Sequence, residues 1–209
     1  MPALRQDIDP DGLLEYSVVY TDRSLNHMSK KFQIVMNDLS TSLKNVYNAD
    51  AVAIVPGTGT YGMEAVARQL ATDQTVLIIR NGFFSFRWTQ ILEKGRITDD
   101  VTVLTAHIGD NSDSMGQQQQ FEPVAIEAAV AEIQSKKPAV VCAPHVEAAA
   151  GLMLPDDYIN QLGDAVHSVG GLLVIDCIAS GCVWLDMKAL GIDGLISAPQ
   201  KGWSSTPCA

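Results

Sequence analysis

Short apolar runs alternate with segments of helical periodicity along most of the chain. The runs are rich in valine and isoleucine, and most of them lack a regular alternation of polar residues. Such near-continuous apolar runs are typical of strands that are covered on both faces of a sheet. They stand at residues 51–55, 75–80, 101–105, 139–143, 172–176 and 194–197.

Amphipathic helices are predicted between most of these runs. Before the first run, apolar residues share one helical face at Phe32, Val35, Met36, Leu39 and Leu43. Pro123 stands at the start of a predicted helix over residues 124–134, and Pro155 opens another one. Strands alternating with helices form βαβ units, so the sequence predicts an α/β fold, a three-layer α/β/α domain with a mostly parallel sheet. The polar stretch 107–120 is predicted to be a long surface loop.

The composition is that of a folded protein, with 47% hydrophobic and 18% charged residues in 209. The net charge of −10 argues against binding to nucleic acids or anionic membranes, because both need a basic surface. No apolar run reaches the roughly 18 residues of a membrane span, and the polar N-terminus lacks the centre of a signal peptide. The four cysteines show no C-x-x-C spacing, so neither zinc nor a disulfide framework is favoured, and the predicted compartment is the cytoplasm.

Ligands of parallel sheets bind beyond the carboxyl ends of the strands, so the segments after the runs hold the candidate chemistry. The first run is followed by Pro56-Gly57-Thr58-Gly59-Thr60-Tyr61-Gly62 and a predicted helix. Glycines, hydroxyls and a helix N-terminus favour a phosphate, although a structural tight turn is the alternative. The loop also matches G-x-G-x-x-G, but no acidic residue ends the next run, as that dinucleotide fingerprint expects.

Aromatic and paired polar side chains follow two further runs. Residues 83–88 contain four aromatic side chains, Phe84 among them, which indicate either a face for a flat cofactor or helix packing against the sheet. After residues 139–143 come His145 and Glu147, which could form an acid–base pair or a structural hydrogen-bonded pair.

A carboxylate and a lysine end the last two runs. Asp176 could cap a helix or hold a cationic ligand group, since a carboxylate buried at a strand end is costly without a positive partner. Lys201 lies among small residues, where we expect little solvent and a nucleophilic amine, although a lone lysine is usually surface decoration. A phosphate loop, an aromatic face, a carboxylate for a pyridinium nitrogen and a lysine for an aldehyde together match pyridoxal 5′-phosphate (PLP).

From about Leu13 onward the sequence resembles class V aminotransferases of fold type I, particularly the alanine–glyoxylate and serine–glyoxylate branch. The resemblance rests on the blocks 56–64, 81–87, 144–151, 173–180 and 197–201, in which Asp176 to Ser180 resembles D-x-x-x-S and Ser197 to Lys201 resembles S-x-x-Q-K. Gln200 also separates the chain from cysteine desulfurases, which usually have a histidine before the lysine.

The resemblance implies a role for each matching residue. Lys201 would form the internal aldimine and move the substrate's α-proton, and Asp176 would pair with the pyridinium nitrogen. Phe84 would stack on the ring, and His145 and Glu147 would lie near the cofactor. The phosphate would be held by Thr58, Gly59, Thr60 and Gln200. The implied reaction moves an amino group from a small amino acid, of the alanine or serine type, to a 2-oxo acid such as glyoxylate or pyruvate, in a homodimer.

The chain departs from the family's pattern in two places. Ala148-Ala149-Ala150 offers no hydroxyl where the family has one for the cofactor's phenolic oxygen. Family members also continue for well over a hundred residues past the lysine. The expected organisation is therefore an N-terminal arm at residues 1–20 and an incomplete PLP-binding large domain at 21–209, without the small C-terminal domain. Two alternatives are an NADP-dependent oxidoreductase in which Arg80 selects a 2′-phosphate, and an inactive PLP-binding fragment.

Overall fold

The computed structural model describes residues 14–15, 24–25, 27–109 and 120–205. The chain divides into two compact units, Met1–Val52 and Ala53–Ala209. Most of the predicted N-terminal arm, residues 1–20, lies outside the described residues. In the described residues, no helix is long and apolar enough to cross a membrane.

The first unit contains one antiparallel strand pair and one long helix. Strand β1 (Leu14–Glu15) pairs with β2 (Ser24–Leu25), and helix α1 spans Lys30–Tyr47. Ser29 caps α1 by accepting a 3.1 Å hydrogen bond from the Phe32 N–H, and the helix ends at Asn48 in the left-handed conformation. The helix predicted from its apolar spacing is confirmed. Val35 and Leu39 of its apolar face are nevertheless exposed.

The second unit is built around a five-stranded parallel sheet. The described elements, in chain order, are α2 (Gly59–Leu70), β3 (Val76–Arg80), α3 (Phe86–Lys94), β4 (Val101–Thr105), β5 (His107–Ile108), β6 (Phe121–Glu122), α4 (Ile126–Lys136), β7 (Val140–Pro144), β8 (Val146–Glu147), β9 (Leu152–Met153), α5 (Asp156–Ser168), β10 (Leu172–Asp176) and β11 (Gly194–Ile196). The sheet has the order β11-β10-β7-β3-β4, and every pair in it is parallel.

Both faces of the sheet are buried beneath helices. Leu77 and Ile79 of β3 point to one face and pack with residues of α4 and α5. Val76 and Ile78, the alternate residues of the same strand, pack on the other face with residues of α2 and α3. Alternate side chains of a strand point to opposite faces, so an apolar run of this kind needs cover on both. The predicted three-layer α/β/α architecture is confirmed.

Five of the six predicted strands are present, and the prediction for residues 51–55 is wrong. This run is irregular, and Ile54 and Val55 are exposed. An apolar run becomes a strand only where a neighbouring strand takes up its N–H and C=O groups. Among the described residues, no strand pairs with 51–55, and β11 and β4 form the edges of the sheet.

The predicted surface loop is shorter than expected. Strand β5 pairs with β6 in antiparallel register, His107 with Glu122 and Ile108 with Phe121. The strand pairing therefore includes two residues that were predicted to be loop. Residues 110–119 of the predicted loop lie outside the described part of the chain.

Candidate active site

The segments that carry the candidate chemistry meet at one edge of the sheet. The strands β3, β7, β10 and β11 are parallel, so the residues that follow them lie at the same edge. Helix α2 begins close to this edge. A Cβ placed on Gly59, its first residue, would overlap Ile178 Cδ1 and lie 3.4 Å from Ala198 Cβ. Ile178 follows Asp176 and Ala198 precedes Lys201, so the glycine loop lies beside both strand-end segments.

The glycine loop makes a tight turn into the N-terminus of α2. Gly57 has φ +144°, in the region that favours glycine, and a Cβ there would overlap the ring of Tyr61. Thr58 stands at the N-cap of α2 in extended conformation, and its side chain makes no capping hydrogen bond. The N–H groups at the start of α2 and the helix dipole favour an anion at this point.

Asp176 is a buried carboxylate at the end of β10. Its side chain is 7% exposed, and Oδ1 accepts a 2.9 Å hydrogen bond from the N–H of Ile178. Burial raises the pKa of Asp176 to about 6, and the negative charge of Glu147 adds to the rise. The Ile178 hydrogen bond and the positive charges of Arg87 and Lys201 act in the opposite direction. A buried carboxylate with a raised pKa near two cations is suited to a cationic ligand group.

Lys201 lies in the turn after β11, close to the aromatic residues that follow β3. Its Nζ is 5.8 Å from the centroid of the Phe84 ring, and its charge acts on Asp176. The expectation that this lysine is removed from solvent is wrong, because its side chain is exposed. It follows β11, an edge strand, where the described chain provides little cover.

Glu147 holds the loop that carries Phe84. It is fully buried, and its carboxylate accepts hydrogen bonds from the Phe84 N–H (3.1 Å), the Ser85 N–H (2.9 Å) and the Ser85 hydroxyl (2.7 Å). A carboxylate with three donors is stable in the interior. These contacts give Glu147 a structural function, since they position the backbone from which the Phe84 ring projects.

His145 is bound to a different partner. Its Nδ1 is 2.8 Å from the hydroxyl oxygen of Ser180, and burial lowers the pKa of the imidazole. Within the described residues, His145 and Glu147 do not hydrogen-bond each other, so the geometry favours two structural interactions over an acid–base pair. Ser180 lies in the segment after β10, and the His145–Ser180 bond therefore ties the ends of β7 and β10 together.

Arg87 is a site residue to which the sequence analysis assigned no role. Its Nη1 donates a 2.9 Å hydrogen bond to Thr60 Oγ1, and its guanidinium carbon lies 5.8 Å from the Phe84 ring centroid. The available signal was its position at the end of the block 81–87. Arg80, by contrast, donates to the Thr89 hydroxyl and stacks over the Phe86 ring, so its guanidinium is engaged within the chain.

Most of the curated relatives of the chain are named as aminotransferases or transaminases, and one is named as a soluble hydrogenase 42 kDa subunit of Anabaena cylindrica. No protein-family model matches the chain. It is 28% identical over 188 residues to an L-aspartate–glyoxylate aminotransferase of Paracoccus denitrificans, covering 88% of this chain and 44% of that protein. It is 29% identical over 171 residues to a 2-aminoethylphosphonate–pyruvate transaminase of Paraburkholderia xenovorans, covering 79% and 41%. The alanine–glyoxylate aminotransferase structure from Nostoc sp. matches with a TM-score of 0.72 and 25% identity, covering 88% and 46%.

The fold is that of the large domain of fold type I PLP-dependent transferases. Within that class the chain is similar to class V aminotransferases, as the sequence motifs indicated. The chain spans less than half the length of these relatives.

Gly59→Ala tests how tightly α2 is packed against the site. We expect a loss of about 1–2 kcal/mol in the free energy of unfolding, because the new methyl group would overlap Ile178. Gly62→Ala is the matched control in the same helix. The atom nearest to the new methyl group is Ile196 Cγ2, 3.1 Å away, and alanine favours a helix more than glycine does. Urea unfolding of both variants measures the difference. Equal stability of the two would contradict the close packing at Gly59.

Asp176→Asn tests the cost of the buried charge. The pKa of Asp176 is higher in the folded protein than in the unfolded chain. The stability that the folded protein gains from the protonated carboxyl group is therefore fully present below about pH 4 and is lost as the pH rises through about 6. Without added cofactor, we expect the variant to match the wild type near pH 4 and to exceed its stability by roughly 2–3 kcal/mol at pH 8.

Urea unfolding at both pH values measures this effect. Asp164→Asn, on the exposed side of α5, serves as the control, because it removes the same charge from a side chain that is not buried. A stability difference for Asp176→Asn that stays constant between the two pH values would refute the interpretation.

Proposed function

We propose that the protein is a PLP-dependent aminotransferase that moves an amino group from a small amino acid, of the alanine or serine type, to a 2-oxo acid such as glyoxylate or pyruvate. The relatives named for glyoxylate and pyruvate support the acceptor. The observation that carries the proposal is the arrangement of Asp176 and Lys201. The lysine amine stands 5.8 Å from the centroid of the Phe84 ring and acts by its charge on the buried carboxylate, at the edge of the sheet where the glycine loop begins a helix.

The residues present fit PLP in their chemistry. The cofactor is a flat ring with a phosphate on one side, a basic nitrogen and an aldehyde. The start of α2 offers backbone N–H groups, and the Thr58 hydroxyl beside them makes no capping hydrogen bond, so both suit a phosphate. Asp176 offers a buried carboxylate for the nitrogen, and Phe84 offers a ring for stacking. Lys201 offers an amine within reach of the same aromatic ring.

When bound, PLP withdraws electrons from the carbon that carries the substrate amine. Asp176 would keep the proton on the pyridine nitrogen, since a cation there would stabilise its buried charge. Lys201 would hold the cofactor by its aldehyde through Nζ, and its free amine would serve as the general base for the α-proton. Thr58, Gly59, Thr60 and Gln200 would orient the ring by holding its phosphate.

His145 and Glu147 act on the site through other residues in this proposal. The hydrogen bonds of Glu147 hold Phe84 where it can stack, and His145 joins the segments that follow β7 and β10. Their proximity to the cofactor stays a prediction from the resemblance.

We also propose that the protein forms a homodimer through the apolar face of α1. Val35 and Leu39 on this face are exposed, and burying such side chains between two copies is favourable.

The double variant Val35→Glu/Leu39→Glu should then dissociate the dimer in analytical ultracentrifugation. Gln33→Glu/Asn37→Glu adds the same charges away from this face and should leave the dimer intact. Dimers of both double variants, or a monomeric wild type, would exclude this interface.

Lys201→Ala tests the proposed function. After incubation with PLP and reduction with borohydride, the wild-type chain should carry the mass of one reduced cofactor on the peptide that contains Lys201. The variant should carry none and should lose transamination by at least about 1,000-fold, because it lacks both the attachment point and the general base. Lys94→Ala, at an exposed lysine paired with Glu93, is the control. Labelling of Lys201→Ala equal to that of the wild type would refute the assignment.

A further inference from the structure

Arg87 joins the glycine loop to the aromatic ring of the site. The guanidinium donates to Thr60 Oγ1 at 2.9 Å and lies 5.8 Å from the centroid of Phe84, the ring that Lys201 also approaches. It also acts by its charge on Asp176. Its side chain is half-buried.

The residues expected to hold the cofactor's phosphate carry no full positive charge. Thr58, Gly59, Thr60 and Gln200 are neutral, and the N-terminus of a helix supplies only about half an elementary charge. A phosphate monoester carries about −1.5 to −2 at pH 7. Because Lys201 binds the aldehyde in the proposed function, a phosphate of this charge needs another cation nearby.

We propose that Arg87 binds the phosphate of the cofactor, together with the N-terminus of α2. This inference rests on the proposed function and assigns a further binding residue to it. The hydrogen bond from Arg87 occupies a lone pair of Thr60 Oγ1, which leaves the hydroxyl hydrogen of Thr60 free to be donated to a phosphate oxygen. Within the described residues, Nη1 is the guanidinium nitrogen that makes a hydrogen bond, so further N–H groups remain for the anion.

The alternative ligand for Arg87 is the carboxylate of a substrate. Both ligands are anions, but only one of them is part of the cofactor. Pyridoxal, which has the same ring and aldehyde without the phosphate, separates the two. Loss of a residue that binds the phosphate weakens PLP binding and leaves pyridoxal binding unchanged. Loss of a residue that positions the ring weakens both, and loss of one that binds only a substrate carboxylate weakens neither.

Titration calorimetry with PLP, pyridoxal and inorganic phosphate tests the proposal on the wild type and on Arg87→Met and Arg87→Lys. We expect Arg87→Met to weaken PLP binding by about 10- to 100-fold and to abolish phosphate binding, with pyridoxal binding changed less than about twofold. Arg87→Lys keeps a charge and should lie between the wild type and Arg87→Met. Arg68→Met is the control, because Arg68 lies exposed on α2 and pairs with Glu64.

Phenylglyoxal labelling of the wild-type protein gives a second measurement that does not depend on how the variants fold. PLP and inorganic phosphate should protect Arg87 from modification, pyridoxal should not, and Arg68 should be modified in every case. Equal losses of PLP and pyridoxal binding in Arg87→Met, or unchanged PLP binding, would overturn the role of Arg87. If the wild type binds PLP no more tightly than either variant, Lys201→Ala or Arg87→Met, the proposed function itself would be overturned.

Discussion

The buried carboxylate of Asp176 is the constraint on which the rest of the site depends. A strand end in the middle of a covered sheet removes the carboxylate from water, and one backbone hydrogen bond compensates only part of that cost. The raised pKa of Asp176 reflects the part of the desolvation cost that this hydrogen bond does not offset. The positive charges of Arg87 and Lys201 reduce it, and a cationic ring nitrogen beside the carboxylate would reduce it further. The site is thus stable in the form in which it holds a cation.

The second requirement is that the Phe84 ring stays in a fixed place. Phe84 follows β3, while Glu147 comes from β8, more than sixty residues later. The three hydrogen bonds that Glu147 accepts fix the loop after β3 from outside its own strand. The His145–Ser180 bond does the same between the segments after β7 and β10. Polar residues that looked like catalytic candidates thus support the surfaces on which the chemistry would occur.

The site holds charges of both signs. The N-terminus of α2 and Arg87, which donates to Thr60, provide positive charge, and Asp176 provides a buried negative group on which Arg87 and Lys201 act. Lys201 also stands 5.8 Å from the centroid of the Phe84 ring. A flat ligand with an anionic group and a basic nitrogen matches these charges. The relatives, which include several named aminotransferases, agree with such a ligand.

The amino-acid sequence by itself determined the layers of the fold and the positions of the strand-end residues. Apolar runs such as 172–176 must be covered on both faces, and parallel strands bring their carboxyl ends to one edge, so Asp176 and Lys201 could be identified as neighbours. Tertiary structure decided the partners. The run 51–55 has the composition of a strand, but a strand also needs a neighbour to take up its backbone groups. The contacts of Glu147 with Ser85, and of Arg87 with Thr60, join residues far apart in the chain. Their geometry depends on packing distances that no local pattern encodes.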